Sequence, residues 1–271
     1  MSQHQDPVEE AKRIIDLAQN RNIQLKLLGG VAFYFRCPSA RSDKLRRKYV
    51  DLDFICRKDH AAKLNSLFTE LDYVPREVFN ALQGDRRLIY NDLRNSRRVD
   101  IFLDIFEMCH KFNFKERLNV DDSFYTIPLA DLLLTKLQIV EFNHKDLNDM
   151  ACMIIDHDVS ESEDGDFING GYIAEICSGQ WGIYKTVITN LSNLDSHISS
   201  LELDESTKTI ASSRIDCIRK LIESAPKSMK WKLRASVGEK VKWYELPEMD
   251  KEVVDSRPFS TNQKTENQPR V

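Results

Sequence analysis

The chain lacks several features that would fix its class at once. It has no Cys-x-x-Cys pair; its six cysteines, Cys37, Cys56, Cys109, Cys152, Cys177 and Cys217, are scattered. That pattern excludes a zinc knuckle and a dithiol redox motif, and it predicts reduced thiols among apolar neighbours. No apolar run approaches the ~20 residues needed to cross a bilayer. The opening MSQHQDPVEEAKR is polar and charged rather than signal-like, so the expectation is a cytoplasmic protein with no membrane partner. There is no large charge of one sign: a formal net charge of −4 argues against wholesale coating of nucleic acid, although basic residues outnumber acidic ones within residues 36–117. Cys109 and His110 adjoin but have no further ligands at metal spacing, so His110 reads as structural. Asp156-His157-Asp158 lacks the other histidines of an HD-type hydrolase.

The chain does hold an ordered constellation in residues 25–55. An apolar strand at 25–28 breaks at Gly29-Gly30 and restarts as a helix. Glycine permits a sharp turn and close approach of backbone to a ligand, and a helix start offers free N–H groups and a positive dipole end to phosphate. The following strand carries Asp51 and Asp53. Strand alternation puts these two carboxylates on one face and Val50, Leu52 and Phe54 on the other. Two carboxylates backed by apolar residues suit hard cations such as Mg²⁺ or Mn²⁺, and these bring triphosphates with them. A later alternating strand, Val99-Asp100-Ile101-Phe102-Leu103-Asp104, places Asp100, Phe102 and Asp104 on one face, so Asp100 and Asp104 both compete as a third acid.

LLGGVA, YVDLDF and RRVDIFLD in that order resemble the DNA polymerase beta-like nucleotidyltransferase superfamily. Its pattern sets the acid right after a hydrophobic residue early in the strand, which favours Asp100. Further along, TKLQIVEFNHKDLNDM resembles the late motifs of AbiEii-type nucleotidyltransferase toxins of type IV toxin–antitoxin systems. The motif lysine then falls on Lys136 and the acidic motif on Lys145-Asp146-x-x-Asp149. The likeness spans residues 27–156. It departs from the pattern at Gly30, where many members carry Ser, so a side-chain hydroxyl contact to phosphate is missing.

What the resemblance implies is transfer of a nucleoside monophosphate from an NTP to an acceptor hydroxyl. Asp51, Asp53 and Asp100 would be the metal ligands, with Asp100 helping to activate the hydroxyl. Gly29, Gly30, Lys136 and Arg47 would bind nucleotide, and Asp149 would join Lys136 in the catalytic set. The implied acceptor is RNA, with a tRNA 3′ end as the expected case, and the implied partner is an antitoxin. Two other readings compete: a nucleotidyltransferase acting on a small molecule such as an antibiotic, and a non-enzymatic nucleotide-binding module on the same fold. The complete set of three acids argues against the last.

The expected architecture is α/β: a polymerase beta-like nucleotidyltransferase fold with a mixed sheet over residues 1–125, an α-helical C-terminal domain over 126–249, and a polar, disordered tail over 250–271. Asp6-Pro7 reads as the start of a helix, with Asp as cap and Pro in the first turn. The loop 38–48, PSARSDKLRRK, is strongly basic and is either a solvated loop or a contact for phosphates or RNA. Residues 59–71 read as a helix. FNALQGDRRLIYND reads as a hairpin turning at Gly84-Asp85, and Arg86, Arg87, Arg94, Arg97 and Arg98 are candidate phosphate contacts. Thr126 reads as the cap of a helix whose apolar stripe, Leu129, Leu132, Leu133, Leu137 and Val140, has Lys136 in its middle. That lysine must snorkel out or point into a polar cleft. Residues 145–155, 172–178, 182–198 and 205–225 read as further helices. Within 145–155, Lys145 and Asp149 could form an ordinary i,i+4 pair. The segment 227–243 is basic and aromatic, and fits a surface helix as well as a nucleic-acid contact.

Overall fold

A computed structural model describes residues 3–120, 125–162 and 166–246; the predicted tail from 250 lies outside the described residues. The chain begins with α1 (Pro7–Gln19), β1 (Leu25–Leu28), α2 (Gly29–Arg36), β2 (Leu52–Cys56) and α3 (Ala61–Glu70). Next come β3 (Val74–Pro75), α4 (Glu77–Gln83), β4 (Arg87–Asp92), β5 (Arg97–Leu103), β6 (Ile105–Glu107) and β7 (Lys111–Asn113). The remainder is α5 (Leu129–Leu137), α6 (His144–Asp156), the short pair β8 (Val159–Ser160) and β9 (Ile168–Asn169), and then α7 (Gly170–Gly179), α8 (Trp181–Ser200), α9 (Glu205–Ser224) and α10 (Met229–Val237). The protein is therefore mixed α/β, with helices filling its C-terminal part.

The main sheet has five strands in the order β1-β2-β5-β4-β3. β2 and β5 run parallel, and the other neighbours are antiparallel, so the sheet is mixed as the sequence predicts. Alternation explains its two faces. Leu52, Phe54, Cys56, Val99, Ile101 and Leu103 are all buried and share one side. Tyr90, opposite Val99, belongs to the same side, and Phe68 of α3 stacks on it with ring centroids 4.6 Å apart. Asp53 and Asp100 point to the other side. β3 is only two residues long and ends on Pro75, while the outer side of β1 is met by a bridge between Leu27 and Thr126.

Local chemistry accounts for the element starts. Asp6 accepts from the N–H groups of Val8 (2.7 Å) and Glu9 (3.2 Å), with Pro7 in the first turn. Three expectations change. Residues 77–83 form α4 and not the first arm of a hairpin; the hairpin is β4–β5, turned by residues 93–96, where Asp92 accepts from the N–H groups of Arg94 and Asn95. Thr126 does not cap α5, whose N-cap is Pro128; Thr126 instead accepts from the Arg36 guanidinium at 3.3 Å. Val140 lies beyond the end of α5, whose buried stripe stops at Leu137.

Buried polar contacts close the helical part and fasten it to the sheet part. Asn190 of α8 donates to the carbonyls of Leu137 (2.8 Å) and Ile139 (2.6 Å), satisfying the open end of α5. His110 is indeed structural: its Nε2 meets the Thr186 hydroxyl at 2.9 Å, and the Trp243 indole donates to the same oxygen at 3.1 Å. Burial lowers the His110 pKa from 6.5 to about 4. A base depressed in this way favours folding above its ordinary pKa, and this contribution is lost as pH falls from 6.5 to about 4, at a cost of about 3 kcal/mol. Denaturation of wild type and His110→Gln across that window should show a shallower acid loss in the variant; parallel curves would remove His110 from the acid response. Five cysteines are buried and Cys217 is exposed; all six are free thiols, as expected.

Candidate active site

The turn after β1 is built against the acids. Gly29 has φ +60°, and a Cβ there would overlap the Asp53 carboxylate. Leu28 pairs with Asp53 across β1 and β2, which brings the turn and the acid together. Asp53 in turn pairs with Asp100 in the parallel register of β2 and β5, so the two carboxylates sit side by side on one face. Asp51 lies just before β2, exposed, and close enough for the charge of Asp100 to act on it.

This crowding has an electrostatic signature. Burial, then the charges of Asp100 and Asp51, raise the Asp53 pKa to about 6, against the opposing pull of Lys136. Partial desolvation on its inner side and the charge of Asp100 also raise Asp51, although the residue stays exposed. Asp100 has its own cations. Arg87 Nη2 lies 2.7 Å from it and Arg98 Nε 2.8 Å. These two arginines, read from sequence as phosphate contacts, hold the acid instead. Arg97 lies against Asp92 at 2.6 Å, deep in the chain, and Arg94 and Arg86 reach Asp72 and Glu107, both at 3.5 Å. Asp104, the rival third acid, sits past the end of β5 with φ +57° and accepts from the Lys58 N–H at 3.0 Å. It stands four residues further along the strand pair than Asp100, away from Asp53.

A second cluster adjoins the turn. A Cβ at Gly30 would overlap the Arg47 guanidinium. Arg47 grips Asp149 through two bonds of 2.9 and 2.8 Å and lies over the Tyr49 ring, 4.5 Å from its centroid. Lys136 Nζ reaches Asp146 Oδ1 at 2.7 Å and Asp149 Oδ2 at 3.1 Å. Asp146 also completes a capping box: its Oδ2 accepts from the Asn143 N–H while Asn143 Oδ1 accepts from the N–H groups of Lys145 and Asp146. Burial works against the charge of Lys136, but Asp149 and Asp146 outweigh it and hold its pKa above the ordinary value. Lys136 thus points into a polar cleft rather than snorkelling, and Asp149 is paired with Arg47 and Lys136 rather than with Lys145.

The structure therefore brings Gly29, Asp53 and Asp100 into one group and Gly30, Arg47, Lys136 and Asp149 into another. The charge of Lys136 couples the two. Sequence reasoning named Arg87, Arg98 and Asp146 without their roles. The signal for Arg98 was present, because it alternates with Asp100 on β5; that for Arg87 depended on the hairpin register.

Among the described residues, no group of three or more His, Cys, Asp or Glu side chains could by itself hold a metal ion. Mg²⁺ rarely needs one, since it is commonly bound by one or two carboxylates with phosphate oxygens and water completing the shell. Asp51 and Asp53 fit that donor set: they are hard oxygens held near one another, their pKa values raised first by burial and then by the charge of Asp100.

The glycines carry separable predictions. Gly29→Ala forces a side chain into positive φ and onto Asp53, and should cost on the order of 2 kcal/mol. Gly30→Ala, at ordinary φ, pushes on the Arg47 guanidinium and crowds Tyr49, so it should cost less than Gly29→Ala, through a loosened Arg47–Asp149 pair. Thermal denaturation of the two variants checks the order; equal losses would contradict it.

No protein-family model and no curated protein sequence matches the chain. Among solved structures, the lincomycin-bound lincosamide antibiotic adenylyltransferase LnuA is similar at 14% identity and a TM-score of 0.39, over 54% of this chain and 94% of that one. The antibiotic-resistance factor ANT(2'')-Ia is similar at 14% identity and a TM-score of 0.38, over 54% of this chain and 81% of that one. Similarity of this size carries neither chemistry nor substrate from one chain to the other.

Proposed function

We propose that the protein is a nucleotidyltransferase of the polymerase beta-like type, which joins a nucleoside monophosphate to an acceptor hydroxyl and releases pyrophosphate. The observation that carries this reading is the in-register pair of Asp53 and Asp100 against the positive-φ turn at Gly29. In this reading the backbone of Gly29 and Gly30 and the start of α2 receive the β and γ phosphates. Asp51 and Asp53 would hold Mg²⁺, which supplies charge neutralisation on the triphosphate. Asp100, oriented by Arg87 and Arg98, faces the acceptor hydroxyl and helps to take its proton as the oxygen attacks the α-phosphorus. Lys136 and Arg47, preorganised by Asp149, stabilise the negative charge that develops on the leaving pyrophosphate.

The acceptor we favour is a small molecule rather than RNA. The basic loop that suggested RNA is largely committed within the chain. Arg47 is held by Asp149, Arg41 donates to the Tyr34 carbonyl (3.2 Å), Arg46 faces Asp43 (3.2 Å) and Lys44 donates to the Glu202 carbonyl. Only the Arg47 charge is met by a buried carboxylate, so the preference for a small acceptor rests on the small aromatic-lined cleft beside Asp100. The test is incubation with each α-labelled NTP and Mg²⁺, with lincomycin, an aminoglycoside and total RNA as separate acceptors. Label in a small product supports the reading; label in RNA overturns the choice of acceptor, and no labelled product of any kind overturns the activity. Neutralising Arg46 and Lys48 together should leave transfer and its salt dependence unchanged. A flattened salt slope would return the loop to RNA binding.

A further inference from the structure

We propose that the cleft between α4, β5 and residues 242–246 is the acceptor pocket, and that it takes a compact, uncharged molecule with an apolar body and a hydroxyl group. This rests on the nucleotidyl-transfer reading above. The cleft has a volume of about 270 Å³, and Phe79, Phe102, Met108 and Leu246 are among its walls. That is near the lower end for small-ligand sites, which start at about 300 Å³.

Its position follows from strand alternation. Phe102 lies two residues beyond Asp100 on β5, on the same face, so the part of the cleft wall that it forms stands about 7 Å from the acid along the strand. Arg87 forms the shared wall. Its guanidinium carbon lies 4.9 Å from the Phe102 centroid and 6.0 Å from that of Phe79, while its Nη2 reaches Asp100 at 2.7 Å. A hydroxyl directed past Arg87 therefore meets the group that would receive its proton.

Charge defines the occupant. Arg86 and Arg87 are offset by Glu107 and Glu245 in the same lining, and Arg86 faces Glu107 at 3.5 Å. Such a balance draws in neither phosphate nor carboxylate, and the aromatic and aliphatic walls favour an apolar body. The far wall is fixed: the Glu245 N–H donates to the Cys109 carbonyl at 3.0 Å and the Trp243 indole to Thr186.

The probe is 2-naphthol, a neutral ring system with one hydroxyl, titrated by calorimetry in parallel with Mg·ATP. Wild type should bind one equivalent saturably. Phe79→Asp, on a half-buried residue of α4, should weaken 2-naphthol about tenfold or more and leave Mg·ATP binding unchanged. Phe79→Leu should restore most of the loss. Asp53→Asn should do the reverse of Phe79→Asp, sparing 2-naphthol and losing Mg·ATP. No saturable binding up to millimolar concentration, or equal binding by Phe79→Asp, alongside normal Mg·ATP binding overturns the pocket alone. Absence of Mg·ATP binding in wild type overturns the transferase reading, and the acceptor role with it. RNA labelling that disappears in Phe79→Asp would mean that the cleft holds a base, and would overturn the small-molecule assignment.

Discussion

Asp53→Asn should abolish transfer, by about 10³-fold or more, and make the protein more stable at neutral pH. The activity loss follows from removing the carboxylate at the meeting point of the glycine turn, Asp51 and Asp100. The stability gain follows from the raised pKa. A carboxyl whose folded-state pKa lies above its unfolded value favours folding when protonated. That contribution is complete below the unfolded value near 3.8 and lost as pH rises through about 6. At pH 7 the wild type therefore carries a penalty of about 3 kcal/mol that the amide does not. Denaturation with a chelator present should show the variant ahead at pH 7 and the gap closing between pH 6 and 4. A variant that is less stable at pH 7, or that retains transfer, would sink the assignment of Asp53 as the crowded, metal-binding acid.

Lys136→Met should cut transfer by about 10²-fold or more and also destabilise the fold. A single charge in an apolar stripe invites the opposite expectation for stability, since methionine keeps the stem and removes the cost of burial. The structure reverses the sign. Lys136 lies between Asp146 and Asp149, and its loss leaves two buried carboxylates facing one another with Arg47 alone to answer them. Breaking a buried pair from one side costs roughly 3 kcal/mol. Chemical denaturation measures the loss directly. Assaying activity well below the melting point separates the two effects, and a Met variant as stable and active as wild type would refute both.

How much of this was legible in the sequence depends on range. The turn at Gly29-Gly30 and the strand carrying Asp53 are local patterns, read from a few adjacent residues, and both form, but the strand starts at Leu52 and leaves Val50 and Asp51 exposed before it. Asp100 over Asp104 needed the family pattern; in the fold β5 ends before Asp104 and pairs Asp100 with Asp53. The short helix α4 was misread because it is only seven residues long and buries none of them, so it shows no helical stripe. The partnership of Arg47 with Asp149 spans 102 positions and has no local trace at all. Nor do the arginines on Asp100 announce themselves, because a strand register decides which of five nearby candidates reach it.

The two borders of the sheet bear on how the protein meets other chains. An open strand is a template onto which any extended segment can add itself. Here one border is a two-residue strand ending in proline, which has no N–H to give, and the Leu27 N–H on the other already donates to the Tyr125 carbonyl at 2.8 Å. Neither side offers a ladder to a neighbour. Strand addition at these two borders is therefore disfavoured, and the sheet beneath the acids keeps a fixed width.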